Sequence, residues 1–185
     1  MASGKIAVVV GSLRRASYTR RVAQAMVRLA PGAFGYEFAE IGRLPLYNQD
    51  LDAPDQTPRE WLEFRDFIRP FAGVLFATPE HNRSIPAALK NALDVGSRPY
   101  GASAWAGKPA GVVSVTPGAM GGFGANHHLR QSLVFLNMPA MAQPEAYIGH
   151  AADVVADDFS VKVEGTRTFL ANFMQALEAF VTKLA

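Results

Sequence analysis

The sequence predicts a single α/β domain across residues 1–185, a doubly wound parallel sheet of five strands with helices on both faces. Three observations predict it. Apolar runs of five to seven residues recur along the chain, the stretches between them carry helical periodicity, and glycine, proline or asparagine punctuates the junctions. Alternating strands and helices require right-handed crossovers, which place the strands parallel and bury both faces of the sheet.

The first run, Ile6 to Val10, is apolar throughout and ends at Gly11, as a strand buried on both faces should. Ser17 is placed to cap the following helix, in which Val22, Met26 and Leu29 recur at i, i+4 and i+7 until Pro31 and Gly32 stop it. Tyr36 to Ile41 alternates as a shorter strand. Gly42 to Pro58, rich in Pro, Asp and Asn, is a long loop of the kind that usually carries function. A helix over Arg59 to Arg69 turns Trp61, Phe64 and either Phe67 or Ile68 inward, and Gly73 to Thr78 is the third strand, ended by Pro79. Pro86 opens a helix carrying Leu89, Ala92 and Leu93, closed by Gly96. Pro109 to Thr116 is the fourth strand. The glycine-rich PGAMGGFG then leads into a helix with Leu129, Leu133 and Leu136, and a fifth strand is expected near Pro139 to Ala142. Phe169, Phe173, Leu177, Phe180 and Leu184 mark a final amphipathic helix.

Composition narrows the function. The chain has 185 residues, 49% hydrophobic and 18% charged, which suits one soluble core and neither a disordered tail nor a repeat array. A net charge of +2 does not point to nucleic acid. No apolar run approaches the ~18 residues of a spanning helix and the start resembles no signal peptide, so neither a membrane partner nor export is expected and the expected location is cytoplasmic. With no cysteine, redox chemistry has to rest on a bound cofactor or on other side chains.

In doubly wound sheets, ligands bind beyond the carboxyl ends of the strands where strand order reverses. The loops after strands one, three and four are therefore where chemistry is expected. The first, Gly11 to Arg20, crowds Ser12, Ser17 and Thr19 with Arg14 and Arg20 at a helix N-terminus. Cations there oppose the helix dipole, and a bound phosphate is a physical reason for tolerating them; a capped helix with solvated arginines is the alternative. Other nucleotide motifs fail: no GxGxxG follows the first strand, and WAGKPA puts Ala102 and Pro109 where a P-loop needs Gly and Ser or Thr.

The second loop, TPEHNRSIPAALKNALD, carries a longer motif. Together with GSLRRASYTR, LPLYNQDL, GKP, the loop holding Gly118, Gly121 and Gly122, and HLRQ, all in order, it resembles the NADPH-dependent FMN reductase family, which includes chromate, quinone and azo-dye reductases. The resemblance implies a flavodoxin-like fold binding FMN, with NADPH or NADH as co-substrate. It assigns the FMN phosphate to Ser12, Arg14, Ser17, Thr19 and Arg20, although family members often have Asn where Thr19 stands. A hydroxyl can still donate to a phosphate oxygen. It also places Pro79, Glu80, His81 and Asn82 along the isoalloxazine with Ser84 nearby, and Thr116, Pro117 and Gly118 around the ring's other side. The family usually has Tyr where His81 stands, and often a basic and an aromatic residue at Gly124 and His127. Those positions bear on subunit contacts and the acceptor pocket, so a homodimer and a homotetramer both stay open.

The implied activity is ping-pong transfer of hydride from NAD(P)H through FMN to a small-molecule acceptor: a quinone, azo compound, chromate-like oxyanion or free flavin. No site for the adenosine 2′-phosphate stands out, which leaves NADPH and NADH open. Hydride passes on the flavin and requires no catalytic side chain; His81 is a candidate general acid, with a polar loop residue as the alternative reading. Glu80 reads as an acceptor for backbone amides, since hydride donation needs no base. No metal is expected, because the neighbouring His127 and His128 diverge on a helix and lack a third ligand. A flavodoxin-type electron carrier and a flavin-binding regulatory module are the alternatives, though carriers of that type tend to be acidic.

Overall fold

The computed structural model describes residues 4–53 and 55–184. Five parallel strands, β1 (Lys5–Val10), β2 (Gly35–Phe38), β3 (Gly73–Thr78), β4 (Ala110–Val115) and β5 (Ala146–Ile148), stand in the order β2-β1-β3-β4-β5. The chain leaves β1 towards β2 and then crosses back to β3, so the direction of winding reverses between β1 and β3.

Strand alternation divides the core into two layers. Ile6, Val8 and Val10 of β1, with Leu75 and Ala77 of β3, pack under helices α1 (Tyr18–Leu29) and α6 (Glu164–Leu184). Ala7, Val9, Val74 and Phe76 face the other way, against α2 (Arg59–Ile68), α3 (Ala87–Gly96) and α4 (Phe123–Phe135). The fully apolar runs of β1 and β3 are thus explained by burial on both faces. In α2 it is Ile68, not Phe67, that is buried with Trp61 and Phe64.

Two expectations need correction. β5 lies at Ala146–Ile148, not at Pro139 to Ala142. The earlier segment makes one parallel bridge, between Ala140 and Ala110, with bonds Ala110 N to Pro139 O and Met141 N to Ala110 O, both 2.8 Å. Pro139 and Pro144 have no N–H to give a ladder, and regular pairing with β4 begins only beyond Pro144. The second strand also ends earlier than expected, at Phe38. One further bond, Ala39 N to Val8 O, extends the pairing before the chain turns at Glu40, whose carboxylate accepts the Gly42 N–H at 2.8 Å. Two short elements have no counterpart in the sequence reading: a 3-10 turn at Gln49–Leu51 and α5 (Ala151–Val154).

Candidate functional site

The loops after β1, β3 and β4 meet at the carboxyl edge of the sheet. Ser17 caps α1, its Oγ accepting the Arg20 N–H at 3.1 Å, and the Arg21 N–H bonds to Ser17 O at 3.1 Å. The Tyr18 and Thr19 N–H groups in the same turn have no intrahelical acceptor, so they are available to an anion. Ser12, Arg14 and Arg20, with Arg15, line a cleft of about 340 Å³ that is closed on its far side by Ala39, Glu40 and Ile41. Among the described residues, neither the Ser12 hydroxyl nor the Arg14 guanidinium has a protein partner. The Arg20 guanidinium lies over the Phe38 ring, 5.4 Å from its centroid. Ser17 and Thr19 are buried behind this cleft, not on its wall. Ser17 keeps a hydroxyl hydrogen to donate, while its oxygen is committed to the cap. Free N–H groups, a free hydroxyl and two arginines without an ion pair among the described residues form a donor set that fits a phosphate dianion, with the Glu40 carboxylate on the opposite wall.

The second loop abuts the first. A Cβ added at Gly11 would lie 3.3 Å from Pro79 Cδ, which measures how closely the two connections approach. Beyond Pro79 the chain folds into a tight hairpin. His81 and Ser84 exchange both backbone bonds at 2.9 Å, and Asn82 and Arg83 take left-handed φ values of 50° and 65°. That is a type I′ turn, whose twist suits two-residue hairpins but which strains a non-glycine residue such as Arg83. Pro79 and Glu80 are half-buried and His81, Asn82 and Arg83 are exposed at the edge. Glu80 Oε2 accepts the Ala125 N–H at 3.0 Å, in the first turn of α4. Ser84 Oγ stands 3.0 Å from His128 Nδ1.

The third loop continues β4. Thr116 is half-buried and its hydroxyl donates to Gly118 O at 3.1 Å, while Pro117 and Gly118 are exposed. The Thr116 N–H bonds to Ile148 O at 2.9 Å, holding the loop over the β4–β5 edge. His127 and His128 diverge, the first towards Tyr147 OH at 3.2 Å and the second towards Ser84.

The long loop after β2 owes its shape to Trp61 and to Asn91, the second of which the sequence reading did not single out. Asn91 Oδ1 accepts the Tyr47 N–H at 2.8 Å, and its Nδ2 donates to Leu44 O and Pro45 O at 3.2 and 3.0 Å. Trp61 Nε1 donates to Pro45 O at 2.9 Å, and Tyr47 packs on Trp61 with ring centroids 5.2 Å apart. Asn91 had a signal, as an amide beside the apolar Leu89, Ala92 and Leu93 of the same helix.

A parallel sheet in this order, with a donor-rich helix terminus and a hairpin converging at the reversal between β1 and β3, defines a flavodoxin-like mononucleotide-binding fold. Residues 4–153 match the family model for NADPH-dependent FMN reductase, and the chain belongs to that family. It is an FMN-dependent oxidoreductase that uses NAD(P)H. Over 176 residues it is 58% identical to a quinone reductase of Pseudomonas putida, covering 95% of this chain and 94% of the relative. It is 44% identical over 177 residues to a 2-hydroxy-1,4-benzoquinone reductase of a Burkholderia species, covering 96% of each. Among solved structures, FerB, a flavoenzyme NAD(P)H:(acceptor) oxidoreductase of Paracoccus denitrificans, superposes with a TM-score of 0.92 at 39% identity, covering 98% of both chains.

Proposed function

We propose that the chain reduces quinones at the expense of NAD(P)H. Bound FMN would supply the redox centre for two half-reactions, oxidation of NAD(P)H and reduction of the acceptor. The chain's own residues supply position and charge. Ser12, Arg14 and Arg20, with the free N–H groups of α1, hold the phosphate, while Ser17 and Thr19 shape the helix terminus behind them. Pro79, Glu80, His81 and Asn82 flank the ring, with Ser84 fixing the hairpin's far strand and Thr116, Pro117 and Gly118 closing the opposite side. His81 is exposed at the hairpin, which supports its reading as a candidate proton donor to the acceptor.

The observation that carries this reading is the convergence of a cation-rich helix terminus and the 79–84 hairpin where the winding reverses. The high identity to proteins named quinone reductase supports the acceptor class. Azo compounds, chromate-like oxyanions and free flavin are further acceptors of the same exchange. We infer a cytoplasmic protein, acting as a single unit over residues 1–185 and assembling as a homodimer or homotetramer. Val134 and Phe135, 78% and 87% exposed at the end of α4, offer uncovered apolar surface for assembly. No helix of the described residues is long and apolar enough to cross a membrane.

The test is to load the purified protein with FMN and follow NADPH and NADH oxidation with and without 1,4-benzoquinone. Quinone-dependent turnover with parallel double-reciprocal plots is expected. Stable flavin binding without quinone-dependent turnover would refute the reading.

A further inference from the structure

Helix α4 begins without a cap of its own. Its N-cap is Gly122, which has no side chain to offer, and no acidic residue occupies its first turn. The missing acceptor comes from another element, because Glu80 Oε2 takes the Ala125 N–H at 3.0 Å with 14% of the glutamate side chain exposed. A carboxylate there also answers the positive end of the helix dipole. Four residues past Glu80, Ser84 Oγ meets His128 Nδ1 at 3.0 Å, so both strands of the hairpin are tied to α4.

Between these ties lies Gly124. A Cβ at this position would stand 2.7 Å from Arg83 O, 3.0 Å from Glu80 Oε2 and 3.3 Å from Arg83 C. Two of those three atoms belong to backbone, which cannot rotate aside as a flexible side chain can. The hairpin is stiff, closed by two bonds between His81 and Ser84, so a push at Arg83 moves His81 and Asn82 with it.

We propose that Gly124 and Glu80 are positioning residues of the flavin site. The bare first turn of α4 is a seat, the Glu80 carboxylate clamps the hairpin into it, and together they fix where His81 and Asn82 stand relative to the phosphate cleft. This rests on the assignment of the hairpin to the flavin ring, and neither residue is asked to touch a reacting atom.

The test compares wild type with Gly124→Ala, Glu80→Ala and Glu80→Gln, all reconstituted with FMN. Alanine suits a helix better than glycine, so Gly124→Ala should fold. The expected result for Gly124→Ala and Glu80→Ala is an altered visible circular dichroism of bound flavin. Anaerobic reduction by NADPH should be slower by on the order of tenfold to a hundredfold. FMN affinity of Gly124→Ala should stay within about threefold, because the phosphate is held elsewhere. Glu80→Gln keeps an acceptor oxygen and should restore most of the wild-type rate. Hydrogen exchange of the His81 and Ser84 amides, measured without flavin, should quicken in both alanine variants. Unchanged dichroism and reduction rate in Gly124→Ala would overturn the positioning role while leaving the flavin assignment intact. Unchanged amide exchange would overturn the seat itself. Failure of the wild type to take up FMN would instead overturn the reading beneath both.

Discussion

Arg65 and Asp52 form an ion pair, Nη2 to Oδ1 at 3.0 Å, with only 3% and 9% of their side chains exposed. The Arg65 Nε donates to Val95 O at 2.9 Å, and its guanidinium lies 5.7 Å from the centre of the Trp61 ring. One cation in α2 thus joins the long loop after β2 to the end of α3. Removing one partner of a buried pair leaves the other charge uncompensated. Asp52→Ala should therefore cost about 3–5 kcal/mol, read as a lower denaturant midpoint at constant slope. A loss below about 1 kcal/mol would mean that the pair is solvated in solution.

Asn91 fastens the same loop through three hydrogen bonds. Asn91→Ala orphans the Tyr47 N–H and weakens the ties on Leu44 O and Pro45 O, at an expected cost of about 1–3 kcal/mol. Amide exchange should quicken across residues 44–51 before it does in β1 or β3. Uniform acceleration through the whole chain would contradict a local anchor.

Tyr36 and Glu178 set a pH limit on stability. The phenol donates to Glu178 Oε1 at 2.8 Å, and its pKa lies well above the ordinary 10.0, first through burial and then through that bond and the carboxylate's charge. Since the folded phenol holds its proton more tightly than the unfolded one, this contribution is complete below pH 10 and is lost as pH rises beyond it. Tyr36→Phe should cost about 1–2 kcal/mol at pH 7, and the gap should narrow above pH 10. Burial lowers the pKa of Lys108, which acts with opposite sign in the same range, but both proteins retain it and the difference isolates Tyr36. A gap that stayed constant to pH 11 would contradict the assignment.

Arg83, at φ 65°, occupies the second central position of the type I′ turn, where glycine is favoured. Arg83→Gly should raise stability by about 1 kcal/mol, seen as a higher melting temperature. A lower melting temperature would show that the arginine contributes more through its side chain than its backbone costs.

The centre of the sheet was legible because β1, β3 and β4 are buried on both faces. β3 coincides with Gly73 to Thr78, and the apolar run from Ile6 lies within β1, since an unbroken apolar stretch bounded by Gly or Pro has few other readings. β5 was misplaced because it has only three residues and its identity comes from pairing with Val113 to Val115, which no local pattern encodes. The cleft beside the start of α1 was legible in part. Hydroxyls and arginines at a helix start are a chemical pattern, whereas the burial of Ser17 and Thr19 behind the cleft depends on how α1 lies on the sheet. The partners of Glu80, Asn91 and Arg65 lie 45, 44 to 47, and 13 to 30 residues away, beyond the reach of periodicity.

The proposed flavin site depends on a phosphate held by Ser12, Arg14, Arg20 and the start of α1. The most direct measurement is the affinity of the apoprotein for FMN against riboflavin, in wild type and in Arg14→Ala. Loss of one charge-assisted contact should weaken FMN binding by about tenfold to a hundredfold while leaving riboflavin binding nearly unchanged. Equal affinity of the wild type for the two flavins, or no loss of FMN affinity in Arg14→Ala, would contradict it.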